Sequence, residues 1–255
     1  MNRILVSGII AATTALLLAG CAGPQKTLFK ETALKTHKSV TPAPSTFSWA
    51  VSWWQPRHEA VNDRLKQGGA DLLLVGDSIT HGFENTGRQY WNLYYAPRNA
   101  VNMGFGGDWT QHVLWRLDHC DFSAVNPKLA VVLIGTNNSN GDDCSAAEIA
   151  DGMIAVCGRL RNALPDTKIL LLAIFPRDLR PTPQRMKITE ANRLASRVAD
   201  GHTIVFEDYS GRFVNPDGTL KEELMPDYLH PNAEGYKVWT EAMEPAIARL
   251  MGEKP

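Results

Sequence analysis

The chain has 255 residues, 44% of them hydrophobic and 21% charged, with a formal net charge of −1 at pH 7. That composition excludes a disordered or collagen-like chain, and the length suits one large or two small domains able to bury a core. Near-neutral charge supplies no field to attract a polyanion, so no nucleic-acid partner is expected. The first element in chain order is a secretory signal pattern over residues 1–20: Arg3 is the positive head, and residues 4–18 are apolar apart from Ser7, Gly8, Thr13 and Thr14. This run is shorter than the about 20 apolar residues that a comfortable transmembrane helix needs.

The run ends Leu18-Ala19-Gly20-Cys21, which resembles the bacterial lipobox. Cys21 is therefore the expected lipidation site, and its acyl chains would tether the protein to a membrane. An ordinary signal peptide cut at a small residue, or a single anchor helix, is the plainer alternative. Ala22, where an aspartate would signal inner-membrane retention, favours the outer membrane of a bacterial envelope, with the protein facing the periplasm or the surface. Residues 21–46 read as a lipidated N-terminus and flexible tether, because they are polar, contain Thr41-Pro42-Ala43-Pro44 and sustain no period. Residues 47–255 read as one domain.

Within that domain, short apolar runs alternate with longer amphipathic stretches, the pattern of a parallel sheet crossed by helices. The runs at residues 71–75, 99–103, 129–134, 168–175 and 203–206 predict five strands, and residues 57–66, 110–117, 146–164, 183–198 and 231–251 predict helices. Residues 129–134 and 169–174 are apolar on both alternating faces, as central strands covered on each side must be. The expected fold is a three-layer α/β/α domain on a five-stranded parallel sheet, whose ligands would bind beyond the carboxyl ends of the strands.

Beyond Cys21 lie Cys120, Cys144 and Cys157. Cys120 and Cys144 should fall at opposite edges of the sheet, too far apart to bridge, which leaves Cys120 with Cys157 as the pair the layout permits. Against that, Cys157 shares an apolar face with Ile149, Met153 and Leu160, the setting of a buried thiol. Asp118-His119-Cys120-Asp121 is rich in ligand types, but contiguous residues rarely converge on one ion, so neither metal nor cofactor is expected.

Four segments after the strands carry chemistry. Gly76-Asp77-Ser78 follows the first, where a strand-to-helix turn would present the serine hydroxyl with its own N–H free; it is equally a turn and a helix cap. After the second, Gly104-Phe105-Gly106-Gly107-Asp108 can leave backbone N–H groups free to donate, yet it lacks the third glycine of a dinucleotide loop and any Walker lysine. Gly135-Thr136-Asn137 follows the third and offers a neutral side-chain donor for developing negative charge. Asp227-Tyr228-Leu229-His230 lies beyond the fifth and can set a carboxylate beside an imidazole, unless Asp227 merely caps the last helix. Taken singly each has a bland reading; together they supply every part of an acyl-transfer site.

Gly76-Asp77-Ser78, Gly107, Gly135-x-Asn137 and Asp227-x-x-His230 resemble the four blocks of the SGNH, or GDSL-type, hydrolases. The stretch from Asn102 through Gly107, Trp109 and His112 to Leu117, followed by Asn126-Pro127-Lys128 and Gly135-Thr136-Asn137-Asn138, is similar to the branch related to the catalytic subunits of platelet-activating-factor acetylhydrolase. The resemblance spans about residues 52–250 and implies a flavodoxin-like architecture. It also implies that Ser78 is the nucleophile, His230 the base and then acid, and Asp227 its orienting partner. The oxyanion hole would comprise the N–H groups of Ser78 and Gly107 with the Asn137 side chain. Ile79, Thr136 and Leu229 match positions thought to line a small acyl pocket in that branch. A short acyl group, acetyl foremost, on a carbohydrate or another small ester is the implied substrate. The alternatives are a lysophospholipase or thioesterase, and a carbohydrate-binding envelope lipoprotein without turnover. His81 is a possible substrate contact or simply a first-turn histidine, and among Trp53, Trp54, Trp91, Trp109 and Trp115 the one expected at the crevice rim is Trp109.

Overall fold

The computed structural model describes residues 24–253; the signal segment over residues 1–20 and the lipidation of Cys21 fall outside that range. In chain order the elements are α1 (Pro24–Ala33), α2 (Trp54–Lys66), β1 (Leu72–Gly76), α3 (Ser78–His81), α4 (Arg88–Tyr90), β2 (Ala100–Gly104), α5 (Thr110–Asp118), β3 (Leu129–Leu133), α6 (Ala146–Ala163), β4 (Lys168–Leu172), α7 (Pro183–Ala195), β5 (Ile204–Glu207) and α8 (Ala233–Met251). The five strands form one sheet in the order β2-β1-β3-β4-β5, parallel throughout, which is the expected flavodoxin-like α/β arrangement.

Side chains of the central strands divide between two cores by simple alternation. Leu73 and Val75 of β1, Ala130 and Val132 of β3, and Ile169 and Leu171 of β4 face the layer built by α2, α5, α6 and α7. Leu72, Leu74, Leu129, Val131, Leu170 and Leu172 face the opposite layer, where α8 contributes Tyr236, Trp239, Met243 and Ile247. Phe83, Tyr95 and Trp91 complete this second layer from the short turns between β1 and β2, and Trp239 packs on Phe83 and Phe175. Three of the long helices start at a side-chain cap. Ser145 and Glu148 form a reciprocal cap at α6, Thr182 caps α7, and Asn232 accepts from Gly235 N–H to begin α8 two residues after the predicted start at Pro231.

Residues 24–46 correct the flexible-tether reading. α1 lies against α6, with the Phe29 ring beside Gly158, and Gln25 donates to the Val198 carbonyl at 3.0 Å. Lys35 Nζ pairs with both oxygens of Asp151 at 2.6 Å, while Ser39 is buried, donates to Cys144 Sγ and accepts at its carbonyl from Thr110 Oγ1 at 2.8 Å. A few anchoring side chains, rather than an apolar period, hold this arm to the body. Cys120, Cys144 and Cys157 are all unbridged, and Cys157 is fully buried, consistent with the thiol reading.

Candidate active site

β1 ends at Gly76, where the chain turns so tightly that a Cβ would sit 2.2 Å from Thr80 Oγ1 and 2.4 Å from the Leu133 carbonyl oxygen; only glycine fits. Asp77 then caps α3, its carboxylate accepting from Ile79 N–H at 3.0 Å. Full burial raises this carboxyl to about 7 despite that bond, and the nearby Asp108 charge adds to the rise. Ser78 is the first residue of α3, half-buried, and its backbone N–H donates to no group among the described residues. Asn102 ties this turn to β2, donating to the Thr80 carbonyl at 3.1 Å and accepting from Gly104 N–H at 2.8 Å.

His230 arrives from the loop before α8. Its Nε2 lies 2.9 Å from Ser78 Oγ, and its Nδ1 lies 2.6 Å from Asp227 Oδ2. An ionised carboxylate only accepts, so Nδ1 carries the imidazole proton and Nε2 is left to accept from the serine hydroxyl. Asp227 Oδ1 is held by the N–H groups of Leu229 and His230, at 3.0 and 2.7 Å. Partial burial opposes ionisation of Asp227, but these hydrogen bonds and the His230 ring outweigh it and keep the carboxyl below its ordinary value. The loop is thus a self-contained bracket for the imidazole.

The other expected donors lie on the loops that follow β2 and β3. Gly107 has φ +75°, and its N–H bonds to nothing among the described residues. Asn137 is fixed by donating to the Asp108 carbonyl at 2.9 Å. The next residue, Asn138, accepts from Thr110 N–H at 2.9 Å and donates to Thr110 Oγ1 at 3.0 Å, locking the third loop to the start of α5. Of the expected acyl-pocket residues, Ile79 and Thr136 are buried and Leu229 is half-buried, each next to one of the residues at the site.

Sequence reasoning missed what lies beneath the glycine turn. Asp108 Oδ2 accepts from Arg116 Nε at 2.8 Å and Oδ1 from Trp54 Nε1 at 2.7 Å, with both charged side chains fully buried. Asp108 lies two residues before α5, outside the helical period that carries Arg116, so no spacing in the sequence marks the pair. Trp109 is also corrected. It is buried, with Phe47 against it and Lys38 Nζ 4.2 Å from its ring centroid, and the exposed indole at the glycine turn is Trp49 instead. His81 accepts from Gly106 N–H at 3.3 Å, which places it at the edge of the same turn. Among the described residues no cluster of three or more ligand-type side chains could hold a metal ion.

A serine, an imidazole and a carboxylate in hydrogen-bonded sequence, at the carboxyl end of a parallel sheet, define an ester hydrolase of the serine type. Residues 74–238 match the GDSL-like Lipase/Acylhydrolase family, and the chain belongs to that family. It is 32% identical over 202 residues to human platelet-activating factor acetylhydrolase IB subunit alpha1, an alignment covering 79% of this chain and 85% of that one. A putative acylhydrolase from Bacteroides fragilis superposes with a TM-score of 0.64 at 21% identity, over 77% of this chain and 96% of the other. A catalytic mutant of an acetylxylan esterase from Geobacillus stearothermophilus gives 0.54 at 17% identity, over 73% and 96%. These two likenesses are of fold.

Proposed function

We propose that this protein hydrolyses short-chain carboxylic esters, acetyl esters foremost, through an acyl-serine intermediate. The observation that carries the reading is the continuous relay from Ser78 Oγ to His230 Nε2 and from His230 Nδ1 to Asp227 Oδ2, at 2.9 and 2.6 Å. His230 takes the hydroxyl proton as Ser78 Oγ attacks the ester carbonyl, and Asp227 stabilises the imidazolium that results. The carbonyl oxygen gains negative charge and moves toward the N–H groups of Ser78 and Gly107 and the Asn137 amide. Collapse of the tetrahedral species expels the alcohol, protonated by His230, and water repeats the sequence to free the acid. Ile79, Thr136 and Leu229 would bound the acyl group, and the first two, being buried, favour a small one. Support for acetyl comes also from the relationship to an enzyme named an acetylhydrolase. Cys21 would hold the enzyme to the bacterial envelope.

The test is hydrolysis of p-nitrophenyl esters from acetate to octanoate by the wild type and Ser78→Ala. A rate that falls steeply with acyl length and vanishes in the variant supports the reading. Equal rates in the two proteins, or a preference for octanoate, refute it.

A further inference from the structure

The triad acts on the acyl side and leaves the alcohol half of the ester unassigned. Next to the glycine turn runs an unbroken aromatic strip. Phe47 stacks on Trp49 with centroids 5.6 Å apart and planes 9° from parallel, Trp49 meets Trp53 at 6.0 Å, and Trp53 meets His81 at 5.9 Å. The strip ends on α3, the helix that presents Ser78. Its place against the site is fixed by Gly107 and Gly106. A Cβ on Gly107 would lie 2.4 Å from the Trp49 ring, and one on Gly106 would lie 3.5 Å from the Trp53 ring. The turn that offers a donor to the reacting carbonyl therefore rests directly on two indoles.

Trp49 is 57% exposed, so a large apolar ring at the mouth of the site is left mostly in water. Phe47 and Trp53 already cover part of this ring, and a bound molecule could cover the part left in water. What the molecule looks like follows from the groups bordering the strip. Burial, reinforced by the Arg57 charge, lowers His81 to about 4, so its ring is neutral at pH 7. Its Nδ1 accepts from Gly106 N–H, which leaves a proton on Nε2, and Glu84 Oε2 lies 3.8 Å from that atom. Glu84 is held by Arg57 through bonds of 2.9 and 2.6 Å. An apolar ring face bordered by a fixed donor and a fixed acceptor has no use for a hydrocarbon tail. It matches a pyranose, whose C–H groups form a flat apolar face and whose hydroxyls project around the rim.

We propose that Trp49, backed by Trp53, is a stacking platform for the sugar ring whose acetyl ester Ser78 attacks, and that it sets preference for the alcohol. This rests on the esterase reading above. The experiment measures kcat/KM for a monoacetylated methyl xylopyranoside and for ethyl acetate, with the full chain as wild type, Trp49→Ala, Trp49→Phe and Ser78→Ala. In Trp49→Ala the sugar-to-ethyl ratio should fall about tenfold, the size of one aromatic stacking contact, and Trp49→Phe should keep most of it. Taking the ratio separates a platform from a support, because damage to the Gly107 turn lowers both rates together. An unchanged ratio in Trp49→Ala, or Ser78-dependent hydrolysis with no wild-type preference for the sugar ester, overturns the platform and leaves the esterase standing. Absence of Ser78-dependent hydrolysis of either ester overturns both.

Discussion

Replacing Asp108 with asparagine probes the ion pair beneath the glycine turn. Arg116 has 0% side-chain exposure, and besides Asp108 it meets the Gly76 carbonyl at 3.4 Å and the face of Phe105, 3.9 Å from its guanidinium carbon. Asparagine can keep the bond from Trp54 through its oxygen, but it then turns an amide NH2 toward Arg116 Nε, donor against donor. The guanidinium is left buried with no opposite charge. Removing one partner of such a pair costs about 3–5 kcal/mol, a large share of the roughly 5–15 kcal/mol that holds a typical domain. At about 2–4 °C per kcal/mol for a domain of this size, the melting temperature should fall by about 10 °C. The assay is a thermal melt followed by far-ultraviolet circular dichroism at pH 7.5. Asp108→Asn combined with Arg116→Met, which removes the stranded charge while keeping the volume, should recover at least half of the loss. A fall under 2 °C in the single variant, or a double variant less stable than the single, would refute the reasoning.

Three further outcomes are expected. Asn137→Ala removes one of the three proposed oxyanion donors and should lower kcat on p-nitrophenyl acetate by about 10²–10³-fold, and a loss under threefold would remove Asn137 from the hole. His112 is buried beside Arg116, and burial first, then that charge, lowers it from 6.5 to about 4. The unfolded chain therefore binds more protons than the folded one between those values, so His112 should make the protein less stable as pH falls from 6.5 to 4. Relative to His112→Asn, whose oxygen can still accept from Trp109 N–H, the wild type should lose up to about 3 kcal/mol across that window in urea titrations. A constant difference between the two proteins would contradict the assignment. Metabolic labelling with palmitate should mark the wild type and not Cys21→Ser, and equal labelling would exclude Cys21 as the acylated residue.

The strands were legible because each is a nearly pure apolar run, and most of their limits move by a single residue: β1 ends at Gly76 rather than Val75, and β5 at Glu207 rather than Phe206. β4 is the exception, stopping at Leu172 while the apolar run continues to Phe175. The long helices showed themselves through periodicity for the same physical reason, one face in the core. Two regions were opaque. Residues 78–98 fold as α3, α4 and turns of 3-10 and π type, each too short to complete a period, although they bury Phe83 and Tyr95. The N-terminal arm docks through isolated residues such as Phe29, Lys35 and Ser39, and a segment anchored at points has no pattern to read. Within the site, Ser78, Asp227 and His230 stood out through spacing and position, whereas Trp49 did not, because its significance arises only where Gly107 comes to lie against it.

Ser78 and His230 are 152 residues apart, and the second lies in the loop that leads into α8, the last helix. Tyr236 on that helix donates its hydroxyl to the Ile79 carbonyl at 2.6 Å, so the closing element grips the backbone just after the serine while it seals the second core with Trp239. Assembly of the site and completion of the fold are thus one event. During synthesis Ser78 emerges early but lacks its His230 partner until the last helix docks. A nascent or C-terminally clipped chain is thereby chemically silent without any inhibitory segment, and hydrolytic capacity reports directly on whether the domain has finished folding.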